Sequence, residues 1–328
     1  MDQELSPQPI LQLLHNHMAT KCVCVASKIG LFEAIASDYL TLDALAKQLD
    51  VPHRTLRIVA DALVAIGFLE MDVDWYHNTP LTAAFLSGQP GKDLRPVLKL
   101  WDSVVYPQWA TLEASIRKNR RTFGFPEFSL EQRHTFDMGV SALTAPSAQA
   151  LAQNYDFSAH RKVLDVAGGM GFFLKAALAE HPDISGTLVE MPQTAQAARQ
   201  HLAQTPFSDR ISVVEGDLFE DDLPGGHDAV IVANIVHMFS PERNLTLLSR
   251  IRQSVAEGAK LLLIDFWTDS THTQPPFAAL MAAEFQITTG EGDVYSVDEI
   301  NTWLTAAQWR RTAHVPLAGP ASLIIAEA

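Results

Sequence analysis

The sequence predicts an α/β fold: a mixed seven-stranded sheet wound with helices, preceded by a mainly helical N-terminal domain. Three observations carry the expectation. Five short apolar runs recur from Val163 onward with helical stretches between most of them, a glycine turn directly follows the first run, and two further strands joined by a tight turn close the chain. Strands that alternate with helices imply a parallel sheet covered on its faces, because each helix must bury its apolar side against the sheet.

The N-terminal region reads differently. Across residues 10–36 the apolar Ile10, Leu13, Leu14, Met18, Val25, Ile29 and Leu31 keep roughly helical spacing, interrupted by Gly30, so a long helix or a broken pair is expected. A short helix over 41–49, a turn at Asp50-Val51-Pro52 and a second helix over 54–66 that stops at Gly67 come next. Phe68-Leu69 and Trp75-Tyr76-His77, separated by Met71-Asp72-Val73-Asp74, read as strand, turn and strand. Helix, turn, helix and hairpin in this order make a winged helix.

Residues 93–155 are helical in pattern again, broken at Gly124-Phe125-Pro126. The chain therefore divides into an N-terminal domain, 1–98, and a C-terminal domain, 99–328, that opens with a helical linker, 99–157. The strands expected beyond it are 163–167, 187–189, 211–214, 229–232 and 261–264. A helix over 297–307 follows, with Ser296 and Glu299 forming a capping box. Strands 311–316 and 322–326, joined across Leu317-Ala318-Gly319-Pro320, read as a terminal hairpin.

Composition narrows the function. At 328 residues the chain is long enough for two cores. Lys and Arg number 24 against 38 Asp and Glu, a net charge of -14, which repels a nucleic-acid backbone unless a basic patch is segregated. The second helix of the winged module offers only Arg54 and Arg57, with Asp61 on it, so packing or dimerisation is expected of it rather than DNA binding. The apolar first helix suits a homodimer. Cys22 and Cys24 lie two apart on a helix and do not face each other, which excludes a disulfide framework. With no basic-then-apolar leader and no run of about 18 apolar residues, a soluble, cytoplasmic chain without a membrane partner is expected.

The turn Ala167-Gly168-Gly169-Met170-Gly171 stands between a buried strand and a helix over 172–180. Glycines let the backbone approach a ligand where a Cβ would collide, and the helix N-terminus presents unpaired N–H groups. Glycines alone would equally fit a bare strand-to-helix turn. Two acids add to them. Glu190 follows the next strand, near the spacing at which dinucleotide folds place a carboxylate on ribose hydroxyls, and Asp217 follows the third, inside Glu215-Gly216-Asp217-Leu218-Phe219. Three successive strand ends thus carry ligand-type residues. Nicotinamide and methyl-donor cofactors both use such sites.

These residues together resemble the S-adenosylmethionine-dependent O-methyltransferases of the plant caffeate and bacterial natural-product type. The likeness covers nearly the whole chain: the winged-helix region, the segment 163–171, Glu190-Met191-Pro192, Gly216-Asp217, and the strand leading to Val236-His237-Met238-Phe239. It implies a Rossmann-like class I methyltransferase domain closed by an antiparallel hairpin, an N-terminal domain that dimerises and helps wall the substrate site, and S-adenosylmethionine as cofactor with S-adenosylhomocysteine as product. The resemblance assigns cofactor binding to Asp165, Gly168, Gly169, Gly171, Glu190, Met191, Gly216, Asp217, Leu218 and Asn234. In it the glycines hold the methionine part, Glu190 the ribose, and Asp217 and Leu218 lie near adenine.

The family's catalytic base is a histidine in a His-Asp-Trp segment just after the fourth strand, and His237 stands at the matching place in His237-Met238-Phe239. Methyl transfer is an in-line displacement, and a neutral hydroxyl is a poor nucleophile until its proton is taken. Imidazole, ordinarily titrating near 6.5, takes such a proton near neutral pH and contributes about 10² to 10⁴ in rate. The family also sets a carboxylate opposite the histidine, within Gly-Gly-Lys-Glu-Arg-Thr. The matching stretch is Gly290-Glu291-Gly292-Asp293-Val294-Tyr295-Ser296, with Val294 at the glutamate position, so Asp293, or else Glu291, is expected to serve. Trp101, Phe123, Phe125, Phe136, Met138, Met281 and Phe285 are candidates for an apolar acceptor lining. His15, His17 and His181 lack metal-ligand spacing, and no metal is expected.

O-methylation of a small hydroxylated, aromatic metabolite is thus the expected activity. Transfer to carbon, nitrogen or sulfur, cofactor-assisted chemistry without transfer, and a winged-helix regulator that senses the cofactor are the alternatives.

Overall fold

The computed structural model describes residues 5–124 and 127–328. Phe125 lies outside them. Two units emerge from the contacts, one from the described residues of Met1–Pro107 and Ser129–Leu143, the other from those of Gln108–Phe128 and Thr144–Ala328. The long helix Leu130–Asn154 contributes to both, and the division expected after residue 98 falls inside the helix Arg95–Leu100.

In the first unit the apolar N-terminal segment is a broken pair of helices. Gln8–Lys28 ends at Ile29, and Gly30, at φ 80°, turns the chain into Leu31–Ala34. Helix Leu42–Leu49 begins where the Thr41 hydroxyl accepts the Ala44 N–H, and helix His53–Ala65 follows it. Strands β1 (Leu40–Thr41), β2 (Leu69–Asp72) and β3 (Trp75–Asn78) form an antiparallel sheet in the order β1-β3-β2. Strand β1 has only two residues, too few for an alternation to show in sequence. Leu31, Phe32, Leu45, Leu56, Leu63 and Leu69 are buried at the centre, each contributing about 1.5–3 kcal/mol.

The second unit is built on β4 (Lys162–Val166), β5 (Ser185–Glu190), β6 (Ile211–Glu215), β7 (Ala229–Ala233), β8 (Lys260–Asp265), β9 (Arg310–Pro316) and β10 (Ser322–Glu327). Their order is β6-β5-β4-β7-β8-β10-β9; the first five are parallel and β10 runs antiparallel to both its neighbours. Alternation accounts for the continuous apolar runs. Leu164, Val166, Val230, Val232, Leu261 and Leu263 fill one face, while Val163, Ala229, Ile231, Leu262 and Ile264 fill the other. The chain moves outward from β4 to β6, then returns to lay β7 on the other side of β4. Sheets of this kind bind ligands at such a reversal, outside the carboxyl ends of the strands. Among the described residues no helix is long and apolar enough to cross a membrane.

Candidate functional site

The carboxyl ends of the five parallel strands, β4 to β8, carry the candidate residues on either side of the reversal. After β4 the backbone enters a turn in which Ala167, Gly169 and Gly171 have φ of 53°, 60° and 69°. Glycine adopts such angles without strain, whereas Ala167 stores some in this turn. Gly168 is required for a second reason, since a Cβ there would overlap the Asp165 carboxyl group. Across the reversal Asn234, just past β7, also sits at positive φ, 58°, its N–H donating to the Ile264 carbonyl at 2.8 Å.

Glu190 ties the turn to β5. One carboxylate oxygen accepts the Gly169 N–H at 2.8 Å and the other the Met191 N–H at 3.0 Å. A carboxylate offers about four acceptor positions, enough to receive hydroxyls as well. Asp165 is fully buried beneath this turn, and neither of its oxygens meets a donor in hydrogen-bonding geometry. Burial first, and then the charge of Glu190, push its pKa up to about 7, and the Leu174 N–H offsets the smallest part. Two acids beside a glycine turn fit a ligand that carries positive charge and ribose hydroxyls.

The third strand end is more structural than the sequence implies. The Asp217 carboxylate accepts the Phe219 N–H at 2.8 Å, and its own N–H donates to Asp221 at 2.8 Å, so the side chain shapes the turn after β6. Gly216 N–H bonds the Glu190 carbonyl at 3.0 Å. Leu218 is buried in the core and Met191 is half exposed at the start of the next helix. Phe219 meets Phe239 edge to face at 5.0 Å, and the Arg243 guanidinium lies 4.1 Å from the Phe219 ring centre.

His237 occupies the short turn Val236–Met238 after β7. Asn244 fixes that turn by donating to the carbonyls of Val236 and Phe239, at 2.8 and 3.0 Å. The imidazole is buried. Its Nδ1 lies 2.8 Å from Oδ1 of Asp265, the last residue of β8, and the same oxygen accepts the Phe266 N–H at 3.0 Å. An ionised carboxylate only accepts, so Nδ1 carries the proton and Nε2, with no hydrogen bond among the described residues, is the basic nitrogen. Phe285 stacks on the imidazole at 3.9 Å and 13°, with Phe266 at 5.5 Å and 23°.

The acid that holds His237 is therefore Asp265, and not Asp293 or Glu291. Asp293 accepts the Val294 N–H beside it at 2.7 Å, and Glu291 faces Arg243 at 3.6 Å. Val294 is fully buried against Met238, Met281 and Phe285, so an apolar cluster stands where the sequence comparison led one to look for a carboxylate. Of the lining candidates, Phe285 and Met281 join this cluster. Phe123 packs on Phe128 at 5.5 Å in the same unit, whereas Trp101, Phe136 and Met138 belong to the first unit. Sequence reasoning missed Asp265 and Phe266. The strand-end rule that found Glu190 and Asp217 applies equally to Asp265.

Comparison with known proteins shows the family of the chain. Residues 109–310 match an O-methyltransferase domain and residues 11–88 an O-methyltransferase dimerisation domain. A 3-hydroxy-5-methyl-1-naphthoate 3-O-methyltransferase of Streptomyces sahachiroi is 28% identical, over 96% of this chain and 92% of that protein. The phenazine O-methyltransferase PhzM of Lysobacter antibioticus is 26% identical, over 96% and 94%. Among solved structures, PigF with SAH superposes with a TM-score of 0.86 at 25% identity, covering 99% of each chain.

Proposed function

The chain belongs to the S-adenosylmethionine-dependent O-methyltransferase family, and from that premise we propose that it methylates a hydroxyl group of a small aromatic metabolite with His237 as general base. The observation that carries this reading is the His237–Asp265 pair, 2.8 Å apart and buried beside the strand reversal where the glycine turn lies. Relatives named for naphthoate and phenazine O-methylation support an aromatic acceptor.

Each residue has a separate task in this proposal. Gly168, Gly169 and Gly171 admit the methionine part of the cofactor, Asp165 sets beneath it a buried carboxyl group that a cationic ligand draws into its ionised form, Glu190 takes the ribose hydroxyls, and the turn at Gly216, Asp217 and Leu218, with Met191 and Asn234, borders the rest. When bound, S-adenosylmethionine supplies an electrophilic methyl group. The acceptor hydroxyl gives its proton to Nε2 of His237, and Asp265 keeps the imidazole in the right tautomer and stabilises the imidazolium that forms. Phe266 and Phe285 hold the ring in plane and keep water away from it. Alignment supplies the larger share of the rate, up to about 7–11 kcal/mol in favourable intramolecular cases.

The N-terminal helix gives the chain a homodimer contact in this reading. Ile10, Leu13, Leu14 and Met18 are exposed on it, a stripe that water would not favour. The activity is tested by incubating the protein with methyl-labelled cofactor and a panel of hydroxylated naphthoates and phenazines. A product with an O-linked labelled methyl, lost in His237→Ala, is expected. Label found on carbon, nitrogen or sulfur, or turnover undiminished in the variant, would refute the assignment.

A further inference from the structure

The helix Pro276–Thr288 carries a single ionisable side chain, Glu284, in a sequence that is apolar up to it and has only Gln286 and Thr288 as further polar residues. Its neighbours on the helix build the wall around His237. Phe277 meets Phe266 edge to face at 5.4 Å, Met281 packs against the cluster of Ala278, Phe285 and Val294, and Phe285 stacks on the imidazole at 3.9 Å. Residues three and four apart share a helix face, so Glu284, three beyond Met281, stands on the stripe adjoining that wall. It is nine-tenths buried. One oxygen, Oε2, accepts the indole N–H of Trp109; Oε1 takes part in no hydrogen bond among the described residues.

A carboxylate at such a position is costly. Burying it with one neutral donor leaves most of its hydration unreplaced, and burial pushes its pKa up to about 7, the Trp109 N–H opposing. For packing alone, a leucine or a glutamine would serve at less cost. What a carboxylate adds over either is the capacity to accept strong hydrogen bonds from two donors at once. The ring-rich surroundings of Phe266, Phe285 and Trp109 favour a flat molecule.

We propose that Glu284 is a specificity-determining residue, accepting through Oε1 a hydrogen bond from a second O–H or N–H group on an aromatic acceptor whose reacting hydroxyl meets His237. The inference rests on the acceptor chemistry proposed above and narrows it to aromatic rings with two donor groups. Trp109 orients the carboxylate from the other side.

The test uses catechol, resorcinol and hydroquinone, each paired with its monomethyl ether, which keeps one hydroxyl and replaces the second donor with an acceptor. Binding to the protein saturated with S-adenosylhomocysteine is measured by calorimetry, with transfer of labelled methyl followed in parallel. At least one diol should bind the wild type about 10-fold or more tighter than its ether, the range of a hydrogen bond to a charged group. Glu284→Leu should reduce the preference to below about 3-fold, Glu284→Gln should leave an intermediate value, and Trp109→Phe should retain the sign of the preference. Thermal melts identify variants that fold. No preference in the wild type, including no measurable binding of any member, or a preference that survives in folded Glu284→Leu and Glu284→Gln, overturns the proposal. A preference without methyl transfer would instead refute the O-methylation reading and keep Glu284 as a ligand contact.

Discussion

Nδ1 of His237 and Oδ1 of Asp265 stand 2.8 Å apart, joining the ends of the adjacent parallel strands β7 and β8. The pair is a unit, since the acid sets the tautomer that leaves Nε2 basic. Asp265→Asn keeps the volume and, with its amide oxygen held by the Phe266 N–H, still accepts from Nδ1, but it removes the negative charge that stabilises the imidazolium. We expect turnover to fall about 10²- to 10⁴-fold with cofactor affinity little changed. His237→Ala should cost a similar factor, and the double variant little more than either alone. Additive losses in steady-state kinetics would show that the two residues act independently.

Asp165 makes stability depend on pH. Its pKa rises from 3.8 to about 7 on folding, through burial and the charge of Glu190. Between those values the folded chain holds a proton that the unfolded chain has released, so stability is greatest below the ordinary carboxylate range and falls as pH rises toward about 7. Asp165→Asn has no proton to lose. From about pH 5 to about pH 7 the wild type should lose roughly 2–3 kcal/mol relative to this variant. Parallel plots of stability against pH for the two proteins, from denaturant titrations, would contradict the assignment.

Much of the fold was legible because a parallel sheet buries both faces of its strands. Runs such as Ala-Val-Ile-Val-Ala over β7 therefore stand out without an alternation, and the capping box of Ser296 and Glu299 is present as its spacing implies. The glycine turn and Glu190 were legible for a related reason: close backbone approach and strand-end position leave local marks. Asp265 was not found, because an acid closing an apolar run reads as the place where the strand ends. Within residues 290–296 the family pattern points to Asp293 and Glu291, whereas the chain places an apolar cluster around Val294 there. Glu284 and Trp109 are 175 positions apart, and no local pattern joins them. Only the lone charge in an apolar helix hinted at the first.

Glu190 has two tasks in the proposed site, holding the turn and receiving the ribose. Glu190→Gln separates them in part. The amide retains one accepting oxygen but turns an N–H₂ toward a backbone N–H, either that of Gly169 or that of Met191, leaving a donor facing a donor. A loss of about 1–3 kcal/mol in binding of S-adenosylhomocysteine is expected, with a smaller loss in thermal stability. Calorimetry showing unchanged affinity would remove Glu190 from the cofactor site.

The exposed stripe on the first helix sets the assembly prediction. Leu13 and Leu14 keep 72% and 58% of their surface open, more than a solitary surface leucine would explain when Ile10 and Met18, on the same helix, are open as well. The residues matching a dimerisation domain, 11–88, include Leu13, Leu14 and Met18. A second copy would bury the stripe in a two-fold contact, in which each substitution acts twice. Leu13→Glu combined with Leu14→Glu would place four carboxylates in that contact. Sedimentation should give a dimer for the wild type and a monomer for the variant, whose unit cores, built from residues such as Phe32 and Leu45, are untouched and should keep the far-ultraviolet circular dichroism unchanged. A variant that remains dimeric would locate the contact elsewhere on the chain.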